Sequence, residues 1–367
     1  MTMITSTLNI ETIQIEGYEK VLKIEDPSTK LKAIISIHDS TLGPALGGVR
    51  IYSYQNEEDA LKDVLRLSKG MTYKAALANC GLGGGKSVII ADSKNGEKTT
   101  ELLQSFAEAV DLLQGKYICA EDVGCTTKDV AIIHEKTPYV VGLNHKKSSG
   151  DPSVFTAWGT FQGLLSSWNY LTQGRPLEGV RILVQGLGAV GEKLLEWLFW
   201  SGAKLFVSDI DREKVESAKI KFGAEAIEPS QVMSFDCDIF APCAMGGILN
   251  KETIPKLKCL LVAGCANNQL MEVEDDRRLK SKGILYAPDF VINAGGLINV
   301  TFELQKTGYN PLEARLAVAQ IAQRLKAIYE IAKEKNIGTQ EAANFMAEEK
   351  IKNAVGKRTD GPYFHHQ

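Results

Sequence analysis

Hydrophobic and polar positions follow two alternating periods along this chain, and each change of period marks an element. Leu31 to His38, L-K-A-I-I-S-I-H, is almost continuously apolar and rich in β-branched residues, which predicts a largely buried strand. Glu57 to Lys69 has acids in its first turn, apolar residues at helical spacing and bases towards its end, so an amphipathic helix is expected. Ser87 to Ala91 reads as a strand. Thr99 to Leu113 reads as a helix with Leu102, Leu103, Phe106, Val110 and Leu113 on one face. A strand over Lys116 to Ala120 and a Thr-capped helix over Thr127 to Glu135 follow. His145 to Pro152 is polar, contains Gly and Pro and lacks periodicity, as a linker would.

Beyond that linker, Thr156 to Leu171 is expected to be a helix whose Trp158, Phe161, Leu164, Leu165 and Trp168 pack a core. Val180 to Val184 is a strand, followed by Gly186-Leu187-Gly188-Ala189-Val190-Gly191, a helix from Glu192 to Ser201, and a strand from Lys204 to Ser208 ending at Asp209. Short apolar strands recur at Asp238 to Ala244 and Cys259 to Asn268, and Val291 to Leu297 repeats the theme. Pro311 to Lys335 reads as one long amphipathic helix carrying Leu316, Ile321, Leu325, Ile328 and Ile331. Gly338 breaks it, and Thr339 to Asn353 forms a last helix. Gly361 to Gln367 has no expected structure, and Met1 to Ser6 resembles an expression leader.

With 367 residues the chain exceeds the usual size of a single core, so two domains are expected. A net charge of −3 gives no electrostatic case for nucleic acid or anionic membranes. No apolar run approaches the roughly 20 residues needed to span a bilayer. The N-terminus lacks the basic and apolar regions of a secretory signal. Seven cysteines without a C-x-x-C pair fit a reducing cytoplasm better than disulfides or zinc. Five histidines without metal-ligand spacing leave metal chemistry and a Ser-His-Asp hydrolase without support.

The G-x-G-x-x-G at Gly186–Gly191 stands after a strand, at a helix start, with an acid about 20 residues on, the context a dinucleotide site requires. Gly186 permits the tight turn, Gly188 lets backbone approach a pyrophosphate, and Gly191 lets helix pack on strand. Leu187, Ala189 and Val190 lie between them, and the helix N-terminus offers unpaired N–H groups to phosphate. Asp209 can accept hydrogen bonds from ribose hydroxyls and would repel a 2′-phosphate, so NAD is expected over NADP. Asn267 and Asn268 either bond the nicotinamide ribose or form a simple turn, and Ala244 closes a strand lining the same crevice. A second candidate for chemistry is Gly70 to Lys86, with Lys74 and Lys86 among small and apolar neighbours, answered by Asp122 at a strand end. A lysine works as a base near neutral pH only when burial or a nearby cation lowers its pKa. The glycine run before Lys86 reads as room for a ligand.

From about Leu31 to Asn353 the chain resembles the glutamate/leucine/phenylalanine/valine dehydrogenase family, and within it the leucine-specific branch. The resemblance rests on G-P-A-L-G-G-x-R at Gly43–Arg50, M-T-Y-K at Met71–Lys74, G-G-G-K at Gly83–Lys86 and A-E-D-V-G at Ala120–Gly124. It continues through S-S-G-D-P-S at Ser148–Ser153, D-I-F-A-P-C-A at Asp238–Ala244 and V-I-N-A-G-G at Val291–Gly296. It implies an α/β protein of two domains: an N-terminal catalytic domain over 1–148, with C-terminal helices from about 331 to 367 returning to it, and a Rossmann-type NAD domain over 149–330.

The implied reaction is NAD-dependent, reversible oxidative deamination of an L-amino acid to its 2-oxo acid and ammonia, by a homo-oligomer such as an octamer or dimer. Lys74 would pair with the substrate carboxylate, Lys86 would activate water, and Asp122 would move protons at the substrate nitrogen. Gly47, Gly48 and Met71 would lie at the substrate, Asn293 would orient it, and Thr156 would contact the cofactor. Glutamate-specific members use a lysine at the position of Leu46 and a serine at that of Val300. With Leu46, Val300 and Leu297 here, a γ-carboxylate would be buried without a partner. Leucine, isoleucine and valine are therefore expected, with Ala120 limiting pocket depth. Phenylalanine or tryptophan would be the rival substrates, and a silent NAD-binding regulator the rival function. The joint presence of Lys74, Lys86 and Asp122 argues against silence. Departures from the family pattern are Val49, where Thr is common, and Gly191, where some members have alanine.

Overall fold

A computed structural model describes residues 7–365 and divides them between two units, so the leader reading of Met1 to Ser6 lies outside the described residues. Of the described residues, the first unit comprises 7–150 with Val300–Asn310 and 349–365, and the second Asp151–Asn299 with Pro311–Glu348. The chain therefore changes unit at Gly150, not 148, and the returning segments differ from expectation. Residues 300–310 join the first unit, whereas 331–348 stay with the second.

The first unit is built on six strands: β1 (Asn9–Ile13), β2 (Lys20–Asp26), β3 (Leu31–Asp39), β4 (Ala45–Tyr52), β5 (Gly83–Ile90) and β6 (Tyr117–Ala120). Their order is β1-β2-β3-β5-β4-β6; β1, β2, β3 and β5 pair antiparallel, and β4 runs parallel to both β5 and β6. Helix α1 (Glu57–Ala78) covers one face; α2 (Thr100–Asp111) and α3 (Thr127–His134) cover the other. Period-two alternation sorts the strands between these layers. Val21, Ile34 and Val88 meet Ala60 and Val64 of α1, while Leu22, Ile35 and Ile89 meet Leu102 and Phe106 of α2. Two covered faces explain why β3 reads as an almost unbroken apolar run.

Two departures from the sequence reading matter for the site. Helix α1 does not stop at Lys69 but runs through Gly70, Met71 and Lys74 to Ala78, ending at Asn79 in a left-handed cap with φ 56°. Strand β5 starts at Gly83, so the glycine run and Lys86 are strand, not loop. The reason is close packing. A Cβ on Gly84 would be driven into the Thr72 amide, one on Gly85 would stand 2.7 Å from the Tyr117 ring, and one on Gly83 would collide with the Asp39 carbonyl. The glycines make room for the protein's own layers rather than for a ligand.

The second unit carries a parallel six-stranded sheet: β7 (Arg181–Gln185), β8 (Lys204–Ser208), β9 (Glu225–Ala226), β10 (Ile239–Pro242), β11 (Leu261–Val262) and β12 (Leu285–Tyr286). The order β12-β11-β10-β7-β8-β9 is that of a doubly wound dinucleotide fold, with its switch point between β7 and β10. Its longest helix, α4 (Pro152–Thr172), is capped by the Asp151 side chain on Ser153 N at 2.9 Å, with Pro152 at the first position. Helices α5 (Ala189–Trp200) and α6 (Arg212–Phe222) follow β7 and β8 in turn, and α7 (Glu274–Ser281) packs on β12.

Val291 to Leu297 is not a strand. Helical turns α8 (Asp289–Ile292) and α9 (Gly295–Thr301) occupy it, and α8 packs on α4 where Gly163 leaves space for Ile292. The expected long helix is two, α10 (Pro311–Ala319) and α11 (Ile321–Lys335), with Leu316 exposed on the first. A left-handed Asn336, not Gly338, ends α11, and α12 (Thr339–Lys352) follows. Gly338 instead leaves room for the Asp276 carboxylate. The expected aromatic packing on α4 is present in graded form, with Trp168 and Leu164 buried and Trp158, Phe161 and Leu165 half-buried.

Candidate active site

In the first unit, neighbouring strands bring three charged side chains to one point. Lys86 lies in the middle of β5 and is only 5% exposed. Its Nζ donates to Oδ2 of Asp122 at 2.6 Å, and Nε of Arg50, on β4, donates to the same oxygen at 3.1 Å. Gly48 makes the arrangement possible, because a Cβ there would stand 2.7 Å from the Cβ of Asp122. The turn bearing Asp122 is closed by its backbone pairing with Cys125.

Electrostatics separate the roles of the pair. Burial pushes the Lys86 ammonium below the ordinary lysine range against the pull of Asp122, and the Arg50 charge adds to the downward push. Burial alone would raise the Asp122 carboxyl, but Lys86 and Arg50 outweigh it and hold the group below the usual carboxylate range. A buried amine that holds its proton less tightly than an exposed lysine thus stands within proton-transfer distance of a carboxylate oxygen. Such a pair can accept and return protons at an adjacent centre.

The other expected substrate residues surround this chemistry in sequence, with mixed burial. Met71 and Lys74 lie three residues apart on α1, hence on one side of it, and both are half-buried. Leu46 is buried in β4 opposite Gly84 and Ile118. The space beside Gly47 is filled by the Gly85 carbonyl, so the glycine there serves strand packing. Ala120 ends β6 half-buried, and Val300 is half-buried where the chain re-enters the first unit.

The second unit presents its candidate residues at the carboxyl ends of its strands. Gly186 has φ +96°, and a Cβ on it would stand 2.7 Å from that of Ala244. A Cβ on Gly191 would collide with the Gly186 carbonyl, so helix and strand touch there. Gly188 has nothing within 4 Å of its missing Cβ; it and Ala189 are exposed, Val190 is half-buried, and no side chain caps α5. The open backbone at an uncapped helix N-terminus fits a pyrophosphate. Leu187 donates its N–H to Oδ2 of Asp209 at 2.6 Å, and Asp211 N donates to Oδ1 at 2.9 Å. Burial would raise the Asp209 carboxyl, but these amides hold it below its usual range and hence charged.

Asn293, which is buried, donates Nδ2 to Oδ1 of Asn267 at 2.7 Å and to the Cys265 carbonyl at 3.2 Å. Asn268 takes a left-handed conformation with φ 51°, and the chain bends at the two asparagines. Thr156 stands against Gly296, with its Oγ1 2.8 Å from where a Cβ would lie, and Leu297 is buried next along the chain. Gln269, absent from the sequence reading, staples this loop by donating to the carbonyls of Gly264 and Ala266 at 2.9 and 3.0 Å.

Residues 18–139 match the Glu/Leu/Phe/Val dehydrogenase dimerisation domain, and residues 151–359 match Glutamate/Leucine/Phenylalanine/Valine dehydrogenase. The chain belongs to this family. It is 49% identical over 348 residues to an L-tryptophan dehydrogenase of Nostoc punctiforme, covering 95% of this chain and 97% of that protein. It is 48% identical over 335 residues to a leucine dehydrogenase of Geobacillus stearothermophilus, covering 91% and 90%. A crystal structure of L-tryptophan dehydrogenase from Nostoc punctiforme matches with a TM-score of 0.82 at 48% identity, over 92% of this chain and 97% of that one. The protein is thus an amino acid dehydrogenase, an oxidoreductase acting on CH–NH2 groups of small molecules with a nicotinamide nucleotide. No helix among the described residues is long and apolar enough to cross a membrane.

Sequence reasoning left out the partners that hold Arg50. Its Nη1 donates to Oδ2 of Asp63 at 2.8 Å, and the Tyr54 hydroxyl donates to the same oxygen at 2.7 Å. An arginine at the end of a glycine-rich buried strand is a readable signal. Asp63, one of several acids on α1, carries none.

Proposed function

We propose that this dehydrogenase oxidatively deaminates branched-chain L-amino acids with NAD, using Lys86 as base and Asp122 as the proton carrier at nitrogen. The observation that carries this reading is the ion pair at 2.6 Å between buried Lys86 and half-buried Asp122. Lys74 holds the substrate carboxylate as a point charge. NAD, when bound, would supply the acceptor for the hydride that leaves the substrate Cα, and the iminium so formed is what the chain's own residues act on. Lys86, deprotonated, takes a proton from the water that attacks this carbon. Lys86 passes that proton across the 2.6 Å contact to Asp122, which delivers it to nitrogen as the carbinolamine collapses; ammonia leaves, and Lys86, unprotonated again, removes the hydroxyl proton to give the 2-oxo acid. Gly188 and the α5 N-terminus would hold the pyrophosphate, Asp209 the ribose, and Asn267, Asn268, Asn293 and Thr156 the nicotinamide end. The charged Asp209 carboxylate disfavours a 2′-phosphate, which supports NAD over NADP.

Buried Leu46 and Leu297 support an apolar substrate side chain, since a γ-carboxylate set against them would lose several kcal/mol of solvation. A second reading, an aromatic substrate, draws on the 49% identity to an L-tryptophan dehydrogenase. Formation of reduced nicotinamide with leucine, isoleucine, valine, phenylalanine, tryptophan and glutamate, each with NAD and NADP, separates the two. Highest kcat/KM is expected for an aliphatic substrate with NAD, and a maximum on tryptophan would sink the branched-chain assignment. We also infer a cytoplasmic homo-oligomer. The match of residues 18–139 to a dimerisation domain supports self-association, and seven cysteines with no disulfide among the described residues suit a reducing compartment. Light scattering of the purified protein tests the assembly.

A further inference from the structure

Arg50 is the one group bonded to both Asp122 and Asp63, and the family motif that contains it gave it no task. Only a guanidinium offers separate N–H donors in a rigid fork, here Nε to Asp122 at 3.1 Å and Nη1 to Asp63 at 2.8 Å. Tyr54 and Arg66 complete the far end, donating to Asp63 Oδ2 and Oδ1 at 2.7 and 2.8 Å. Nearer the pair, Lys86 Nζ and Arg50 Nε share one oxygen of Asp122. A cation held there by a second carboxylate cannot swing away when the proton on Lys86 leaves or returns.

We propose that Arg50, anchored by Asp63, is a positioning residue of the deamination: it fixes the Asp122 carboxylate and sets the protonation balance of Lys86. The inference rests on the assignment of Lys86 as base. The charged and titratable groups around this centre are Arg50, Lys86, Asp122, Asp63 and Tyr54, with Tyr117 and Cys125 nearby. Arg50 and Asp63 act on Lys86 in opposite senses: the guanidinium disfavours its protonated form, and the Asp63 carboxylate favours it. Loss of either would disturb the same chain of contacts, but their electrostatic effects on Lys86 differ in sign. A purely structural role has no reason to produce that opposition.

The test is the pH dependence of kcat for leucine oxidation in the parent, Arg50→Gln and Asp63→Asn, with Lys86→Ala alongside and the urea transition of the first unit as the control of folding. In Arg50→Gln the rising limb is expected to move to higher pH, because a cation beside the base is gone. In Asp63→Asn it is expected to move to lower pH. A limb that stays in place or moves down in Arg50→Gln overturns the proposal. Should that variant not fold, Asp63→Asn decides alone, and a limb unmoved or moved up overturns it. Turnover surviving in Lys86→Ala removes the base assignment and the inference with it, whereas an inactive Lys86→Ala with unmoved limbs removes the inference only.

Discussion

At the scale of single residues, the chemistry turns on how strongly burial is opposed. Lys86 is nearly inaccessible, and a buried ammonium is costly unless paired. Asp122 supplies the pairing, and Arg50 keeps it from being complete, since it claims the same oxygen. The net result is a lysine poised below its ordinary range. Because the base must be unprotonated to take a proton from water, kcat in the deaminating direction is expected to rise with pH through a limb below the ordinary lysine range. Lys86→Ala is expected to lower kcat by about 10³-fold, the middle of the range for loss of a general base. NAD affinity should be unchanged, because the glycine-rich site lies in the other unit. Stopped-flow turnover and NAD titration read the two separately, and equal loss of both would mean that the lysine has been given the wrong job.

At the scale of elements, two sets of glycines that look alike in sequence do opposite things. Gly83 to Gly85 face the protein: Thr72 of α1 and the Tyr117 ring fill the places of their side chains. Gly188 faces open space at the start of α5. Gly84→Ala is therefore expected to cost at least about 2 kcal/mol, because a methyl would force α1 from β5. Gly188→Ala should leave the urea midpoint within the change of about 1 kcal/mol expected of a helix cap, yet weaken NAD. The idea fails if Gly84→Ala melts like the parent, or if Gly188→Ala binds NAD as well as before. These glycines also mark the limits of a one-dimensional reading. The nucleotide loop was legible because its residues are local and the strand, turn and helix declare its context. Helix α1 was cut short at Gly70 because a glycine is a poor helix former, and packing against β5 overrides that preference. Val291 to Leu297 looked like strand because a short buried apolar run has no period that distinguishes helix from sheet. The bridge from Asp63 through Arg50 to Asp122 spans 72 residues between its second and third members, which no local pattern records.

At the scale of the whole molecule, the Lys86–Asp122 pair and the G-x-G-x-x-G loop belong to different units, and the chain alternates between those units at 150, 299, 310 and 348. The returning segments are therefore structural parts of the first unit rather than appendages. Glu303 is buried and accepts the amides of Gly142 and Ser149 at 3.0 and 2.6 Å. Arg358 donates its amide to the Leu42 carbonyl at 2.9 Å and its Nη2 to the Leu304 carbonyl at 2.7 Å. Its Cβ packs against Gly81, so the tail closes over the Ser40–Pro44 turn that leads into β4 and Arg50. Lys350 bonds the Asn79 side chain at the α1 cap, two residues before that turn's neighbour Gly81. A chain ending at Glu348 removes all of these contacts except those of Glu303, while leaving every strand of the second unit present. Small displacements of positioned groups can cost large factors in rate, so turnover is expected to fall by at least about tenfold. The urea transition of the first unit should move to lower concentration, and NAD affinity should remain that of the full chain. Full turnover from the shortened chain would show that β4 holds Arg50 without the tail. Parallel loss of NAD binding would show that the two units do not fold independently.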